Sequence, residues 1–480
     1  MTKTVAVIGA GVSGLTTAKC LRAEGLHVRV FERASSPSGV WLYSADANAP
    51  LASPMYDPLE TNYPRDLMEF ADHPWPDNAP MHPSHQQVLD YLQSYGKGVG
   101  VEYGTEVADV FKRTSIHPHR WRVTIQKVKF EQKPTSLDFD AVVVCIGTFD
   151  KPSMPDDPGL AEWEKAFPNS VLHSKTFRDF ESYHSNACAN VVVIGNGPSG
   201  QDISRQLARK AKTVWVSTKD ERNKLSSPNL KTVGPIEKFN TKHRSIELKD
   251  GTSLMNVDKV IYCTGYEYSH QFLRKGVRNK TALHDDGFHV DDLWQHMFWI
   301  DEPTLVYIGI PKEGPTFLTS QAHAAYAARC LTGRSFLPFK TVMRSEMMAD
   351  LEKRAKQNLN IETKAHTLGY PECKMYIEAL EMRCKNDAAA LQRPITDGNK
   401  PFRWTERIEW IMANRGEIGK WYKKKDCLRK NYPTPESLGF EGVPRKSNTI
   451  SQSCGTAMTD GVQCSKGYYP AVRSLRPRGY

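Results

Sequence analysis

The chain has 480 residues, 39% of them hydrophobic and 25% charged; this is the balance of a globular protein with a substantial core, and the length suggests two or three domains. No run of about 18 uncharged apolar residues occurs, so no transmembrane anchor is expected, and the strand-like Val5-Ala6-Val7-Ile8 leaves no room for a signal peptide or long transit peptide. The net charge is +10, with +5 of it in residues 445–480; because no basic run is interleaved with aromatics, this reads as a solvated tail and no nucleic-acid partner is expected.

In chain order, residues 4–9 read as a strand, Ser13 to Glu24 as a helix and His27 to Glu32 as a second strand, a βαβ unit. Residues 37–85 are rich in Pro, Asn, Asp and aromatics and read as irregular loops; His82 and His85 there read as solvated or capping. Phe139 to Gly147 is a buried-strand run, followed by a turn at Lys151-Pro152. The pattern then restarts about 185 residues downstream: Asn190 to Gly195 is a strand, Ser199 to Ala211 a helix and Thr213 to Ser217 a strand. Asp250-Gly251 marks a hairpin turn within 246–263, ahead of the strand Lys259 to Cys263. Leu305 to Ile310 is a further strand, and Ser320 to Thr332 a helix ended by Gly333. Residues 340–430 read as mainly helical; beyond Arg445 the chain is polar and weakly patterned, either partly disordered or wrapped over the surface.

Ten cysteines are scattered at 20, 145, 188, 263, 330, 373, 384, 427, 454 and 464, with no C-x-x-C pair. This argues against a metal site and against a dithiol redox motif, hence against a disulfide reductase. Cys145 and Cys263 sit in apolar strand patterns and read as small buried hydrophobes. A reduced, cytoplasmic setting is the expectation.

Both repeated units carry a glycine-rich turn between strand and helix. The first is Gly9-Ala10-Gly11-Val12-Ser13-Gly14. Its first glycine permits the tight turn, its second lets backbone approach a pyrophosphate, and its third lets helix pack on strand. The pyrophosphate then meets free N–H groups at the helix N-terminus. Glu32 ends the next strand, placed to accept ribose hydroxyls and to repel a 2′-phosphate, so this site should hold FAD or NAD. The second turn is Gly195-Asn196-Gly197-Pro198-Ser199-Gly200. Its second strand ends in Ser217, Thr218 and Lys219, with Arg222 close by, which suits a 2′-phosphate and favours NADPH; Asp220 and Glu221 weaken that preference. A flavin and a nicotinamide in one chain are needed together when hydride passes between them.

Further segments carry a family resemblance. GAGVSGL, VFERASSPSGVW (Val30 to Trp41), TNYPRDLMEFADHPWP from Thr61, IYCTGYEY around Gly265 and PTLVYIGIP before Lys312 resemble the flavin-containing monooxygenases of the single-component, NADPH-dependent type. The family fingerprint F-x-G-x-x-x-H-x-x-x-[YF] is matched by Phe167 to Phe177, except that Asn169 stands at the Gly. Asn tolerates left-handed backbone, so the turn can survive. Phe177 is similar to the heteroatom-oxygenating branch; the Baeyer–Villiger branch has Trp there. Ser38-Gly39 replaces the usual Gly pair, and Lys219 stands where Arg is common, a point charge without a bidentate fork.

The resemblance implies an α/β fold of two Rossmann-like domains, the NADPH domain inserted into the FAD domain, with a mostly helical C-terminal region. The expected division is 1–155 and 301–345 for FAD, 156–300 for NADPH, 346–444 helical, and 445–480 tail. It implies that NADPH reduces FAD, that O2 adds to give a C4a-hydroperoxyflavin, and that an amine nitrogen or thioether sulfur of a small organic substrate takes the distal oxygen. Natural-product tailoring is the analogy offered by the family's soluble members. Asn62 is the implied orienting residue, with an Asx turn as its bland alternative. FAD contacts are implied for Val40, Thr61, Asn62 and Val107, and an NADPH contact for Thr264; Trp41 is expected to cover flavin or to sit in the core, and Gln321, at a helix start after a strand, to reach flavin or only to pack there. His173 is expected to order the inter-domain linker, and Tyr266 to pack near the cofactors or hinge. A Baeyer–Villiger oxygenase and a non-catalytic NADPH-binding sensor are the competing readings; self-association is left open.

Overall fold

The computed structural model describes residues 2–446, apart from 38, 50, 58, 114–118, 129–132, 180–189, 220–224, 274–286, 358, 361–363 and 396–397. Ser38, the residues Asp220, Glu221 and Arg222, and the basic tail from 447 onward therefore lie outside the described residues.

The first sheet is centred on Thr4–Ile8, which runs parallel between His27–Phe31 and Ala141–Val144, with Ile8 opposite both Phe31 and Val144. Val101–Glu102 extends it on one side and Leu305–Tyr307 on the other. Side chains alternate along a strand. Val5 and Val7 thus enter one core with Leu15, Leu21, Phe317 and Tyr326, while Ala6 and Ile8 enter another with Phe31, Val110 and Trp121. The helices Val12–Ala23 and Thr316–Thr332 supply the first layer, and the antiparallel sheet Thr105–Lys112, Trp121–Lys127 and Thr135–Phe139 the second. With both faces covered, the strand reads as an unbroken apolar run.

The second sheet repeats this plan. Asn190–Ile194 lies parallel between Thr213–Ser217 and Lys259–Tyr262, flanked by Leu230–Val233 and Val171–His173. Ile203 and Leu207 of the helix Pro198–Leu207 pack on Val191 and Val193. Val192 and Tyr262 face Trp163, Phe239 and Ile246 on the other side. The expected hairpin turns at Asp250-Gly251, where the Asp250 carboxylate accepts the Thr252 N–H and Gly251 has φ +84°.

The two connections between the units run side by side. Lys151–Pro152 pairs antiparallel with Tyr266–Glu267, so the second unit is inserted into the first. The return to the first sheet comes earlier than the expected residue 301. Leu293–Trp294 and Phe298–Trp299 already form an antiparallel ribbon beside Leu305–Tyr307. These two-residue strands, joined through Gln295 and His296 at positive φ, are too short to show an alternation.

The helices Lys340–Lys356, Glu372–Ala390 and Glu406–Lys424 bear out the helical reading of this region. They do not form a separate core: Met343, Ile377, Leu380, Ile411, Ile418 and Tyr422 join the cluster that contains Val5 and Val7. Among the described residues no helix is long and apolar enough to cross a membrane, and no group of three or more His, Cys, Asp or Glu could hold a metal.

Candidate functional site

The two glycine turns have the same geometry. Gly9 has φ +98° and Gly195 φ +104°. A Cβ on Gly9 would lie 2.6 Å from the Cys145 carbonyl oxygen, and one on Gly195 2.5 Å from that of Cys263. A Cβ on Gly14 would lie 1.9 Å from the Gly9 oxygen, and one on Gly200 2.0 Å from the Gly195 oxygen. Cys145 and Cys263 occupy equivalent places, each with its Cβ 3.5 Å from the third glycine's virtual Cβ. They are the small residues over which helix and strand close.

Both helices begin at a glycine, Gly11 or Gly197, that offers no side-chain cap. By contrast Ser84 and Thr405 accept backbone N–H groups at the starts of their helices. The uncapped N–H groups and the helix dipole fit an anion such as a pyrophosphate. The two turns differ in enclosure. The turn Gly39–Trp41 closes on the first, with Gly39 at φ +53° and its Cα 3.2 Å from a Cβ on Gly11. A Cβ on Gly197 would meet nothing within 4 Å, leaving a cradle open to a ligand. Val40 and Trp41 are half-buried in that closing turn, and Trp41 packs against the core.

Glu32 is buried at the end of its strand, and its two carboxylate oxygens accept the N–H groups of Ala10 (2.7 Å) and Ala34 (2.8 Å). Each oxygen keeps a further lone pair for a ribose hydroxyl. Val107 is buried beside this strand, in the cluster with Phe31. At the second tip, Ser217 is buried and donates its hydroxyl to the Gly234 carbonyl at 3.0 Å, whereas Lys219 is exposed. Val12, Asn196, Pro198 and Ser199 stand in their turns at the surface or half-buried. The Thr264 hydroxyl donates to the Ser153 carbonyl at 2.5 Å and so ties the two connections together.

Ser13 is fixed from the return segment. Its hydroxyl is 2.9 Å from that of Ser320, and Gly309 at φ +83° leaves room for it, since a Cβ there would lie 2.4 Å from the Ser13 oxygen. Gln321 follows, and its Oε1 accepts the Ala71 N–H at 3.1 Å, which engages it with the 61–83 segment. In that segment Thr61 is buried and Asn62 exposed, with no described residue bonded to the Asn62 amide. The neighbouring Tyr63 hydroxyl donates to Glu313, just ahead of the helix Thr316–Thr332.

His82, read from sequence as solvated or capping, is instead 6% exposed, with its Nδ1 2.8 Å from the Thr61 carbonyl oxygen. Burial pushes its pKa down to about 4. Nothing in a Pro-rich stretch announces this, because its partner is a distant backbone carbonyl. His85 is the first residue of the helix that Ser84 caps, and its ring lies against Tyr43.

The fingerprint sits at the junction of the units. Asn169 has φ +62°, the left-handed conformation that its place in the motif requires. His173 Nδ1 accepts the Lys175 N–H, and its ring meets Tyr266 of the returning connection edge-on at 5.1 Å. Lys175 reaches Asp150, which also pairs with Arg33 of the first unit. Phe177 is 1% exposed against Tyr56, whose hydroxyl donates to Asp202 of the second unit at 2.6 Å. Tyr56 was not anticipated; an isolated aromatic in a loop gives no periodic signal.

Comparison with known proteins identifies the family. The flavin-binding monooxygenase-like family matches residues 2–229 and 230–385. The chain is 33% identical over 341 residues to the thiol-specific monooxygenase of Saccharomyces cerevisiae, covering 67% of this chain and 76% of that protein. It is 27% identical over 510 residues to the flavin-containing monooxygenase ustF2 of Aspergillus flavus, covering 90% and 98%. Among solved structures, S-allyl-L-cysteine S-oxygenase from Allium sativum superposes with a TM-score of 0.75 at 28% identity, covering 91% of this chain and 97% of that one. The chain belongs to the flavin-binding monooxygenase-like family: it is a monooxygenase, with FAD and NADPH as its cofactors.

Proposed function

We propose that the chain uses NADPH and O2 to place one oxygen atom on the sulfur of a small organic thioether or thiol. The observation that carries this reading is the pair of uncapped glycine turns. One is closed by Gly39–Trp41 beside an acid, and the other is open beside an exposed lysine. The closed turn suits a resident flavin and the open one a nicotinamide that must come and go. Glu32 would hold the ribose of the first, and Lys219 would supply the charge for a 2′-phosphate of the second. Flavin, when bound and reduced, supplies the activated oxygen.

For a thioether the reaction balances: the sulfide, O2, NADPH and one proton give the sulfoxide, NADP+ and water. Sulfur fits an electrophilic oxygen because its lone pair is soft and polarisable. The thiol-specific and S-oxygenase names of two relatives support sulfur ahead of amine nitrogen. The chain's own part is to bind, orient and exclude water. Asn62 offers an exposed carboxamide on a loop whose backbone is fixed at Thr61, and we assign it the orienting role at the flavin edge.

The test is NADPH oxidation against a panel of thioethers, thiols and amines, scored for product and for hydrogen peroxide. Product close to one per NADPH with a sulfur compound is expected. Turnover of amines alone would remove the sulfur assignment. Reduced enzyme with NADP+ mixed with oxygen should show an absorbance transient before oxidised flavin returns; peroxide with neither transient nor product would remove the whole reading.

A further inference from the structure

The family match ends at residue 385, yet the helix Glu406–Lys424 and the residues after it grip the segment that carries Asn62. Arg429 pairs with Glu60 at 2.7 Å. Arg407 pairs with Asp66 at 2.8 Å, both side chains nearly buried, and its other arm reaches Glu436. Lys446 pairs with Glu69 at 2.7 Å. Between these ion pairs the Tyr422 ring packs on His82, with centroids 4.8 Å apart.

The protonation of His82 follows from its partner. The Thr61 carbonyl can only accept, so Nδ1 carries the proton and donates it. Nε2 is then a bare lone pair, buried and, among the described residues, without a partner. The Thr61 carbonyl belongs to the Thr61–Asn62 peptide. The Thr61 N–H donates to Pro83, and its hydroxyl to Tyr63. Both peptide planes that flank Thr61 are thereby held, and the second of them is the plane on which the Asn62 Cα is carried.

We propose that His82 is a positioning residue, clamped by Tyr422 of the C-terminal helix, that sets the Thr61–Asn62 peptide and through it the orientation of Asn62. The helix beyond the family match thus acts on the oxygen chemistry through His82 and the Thr61 carbonyl. The proposal rests on the reading of Asn62 given above, and the test separates the two.

Three variants of the full-length chain are compared: His82→Leu, which removes the donor; His82→Asn, whose amide nitrogen can replace Nδ1; and Arg429→Ala, a half-exposed change that leaves the core intact. The first readout is hydrogen exchange of the peptide spanning 59–66 in flavin-free protein. It should rise about tenfold in His82→Leu, the factor expected for losing about 1.4 kcal/mol of local protection. It should return toward wild type in His82→Asn and rise slightly in Arg429→Ala. The second readout is product formed per NADPH oxidised, which should fall several-fold in His82→Leu in favour of peroxide and recover in His82→Asn, with KM for NADPH unchanged. Unchanged exchange in both His82→Leu and Arg429→Ala overturns the clamp. Raised exchange with an unchanged product ratio overturns the role given to Asn62 and leaves the clamp standing. If His82→Leu does not fold, Arg429→Ala decides the first question alone.

Discussion

Ser217 is buried with its hydroxyl on the Gly234 carbonyl, and Lys219, two residues on, stands in solvent. Replacing Lys219 by Ala should raise KM for NADPH about tenfold, the worth of one charge-assisted hydrogen bond of about 1.5 kcal/mol. KM for NADH should stay unchanged. Ser217→Ala should leave both within about twofold, because its hydroxyl proton is already committed to the Gly234 carbonyl. Steady-state kinetics with the two nucleotides check this; equal loss for both would take the 2′-phosphate away from Lys219. At this scale sequence is informative where chemistry is local. Asn169 is legible because a left-handed turn restricts residue type. Ser217 is half legible: its position at the strand tip is right, but its partner Gly234 lies on a neighbouring loop. His82 was illegible, since its imidazole serves a carbonyl 21 residues away.

The glycine turns separate folding from binding at the level of the strand–helix element. A methyl at Gly200 has 2.0 Å to the Gly195 oxygen and cannot be placed without moving backbone, whereas one at Gly197 meets nothing. Gly200→Ala should therefore lower the melting temperature by roughly 5 °C, on a cost of about 1–2 kcal/mol. Gly197→Ala should melt within about 1 °C of wild type yet raise KM for NADPH about tenfold, a loss of about 1.4 kcal/mol. Thermal melts beside NADPH titrations test the pair, and a Gly197→Ala protein that binds normally would show that no pyrophosphate approaches there. The two βαβ elements were readable because strand, turn and helix are contiguous and each obeys its own period. The helix Thr316–Thr332 begins a turn earlier than its apolar pattern suggests, at a Pro N-cap. The segment 37–85 gave no pattern because side chains reaching to backbone hold it. Arg65 donates to the carbonyls of Pro76, Asp77 and Ala79, and Trp75 to that of Met68.

Buried imidazoles make the whole molecule acid-sensitive. Burial pushes His82, His173 and His270 down to about 4, His296 and His323 to about 3, and His366 well below the usual range. The folded chain keeps these rings neutral, while the unfolded chain protonates them below about 6.5. The unfolded state then binds more protons, so stability is full above that pH and is lost as pH falls toward 4 and 3. By pH 5.5 each ring should cost on the order of 1 kcal/mol. The urea midpoint should therefore drop between pH 7.5 and 5.5, and drop less in His270→Phe, whose two ring nitrogens are buried and without partners among the described residues. Equal midpoints at the two pH values would contradict this. The C-terminal helices matter at the same scale: sequence predicts their helicity, but not that they close the core of the first unit, because an amphipathic face does not name the surface it covers.

The antiparallel pairing of Lys151–Pro152 with Tyr266–Glu267 brings the two ends of the inserted unit within one strand spacing, about 5 Å. A segment whose ends meet so closely can enter a host sheet as a cassette, without parting the strands on either side. The covalent path between the units is this two-stranded stalk; they meet a second time where Phe177 packs on Tyr56 and the Tyr56 hydroxyl donates to Asp202.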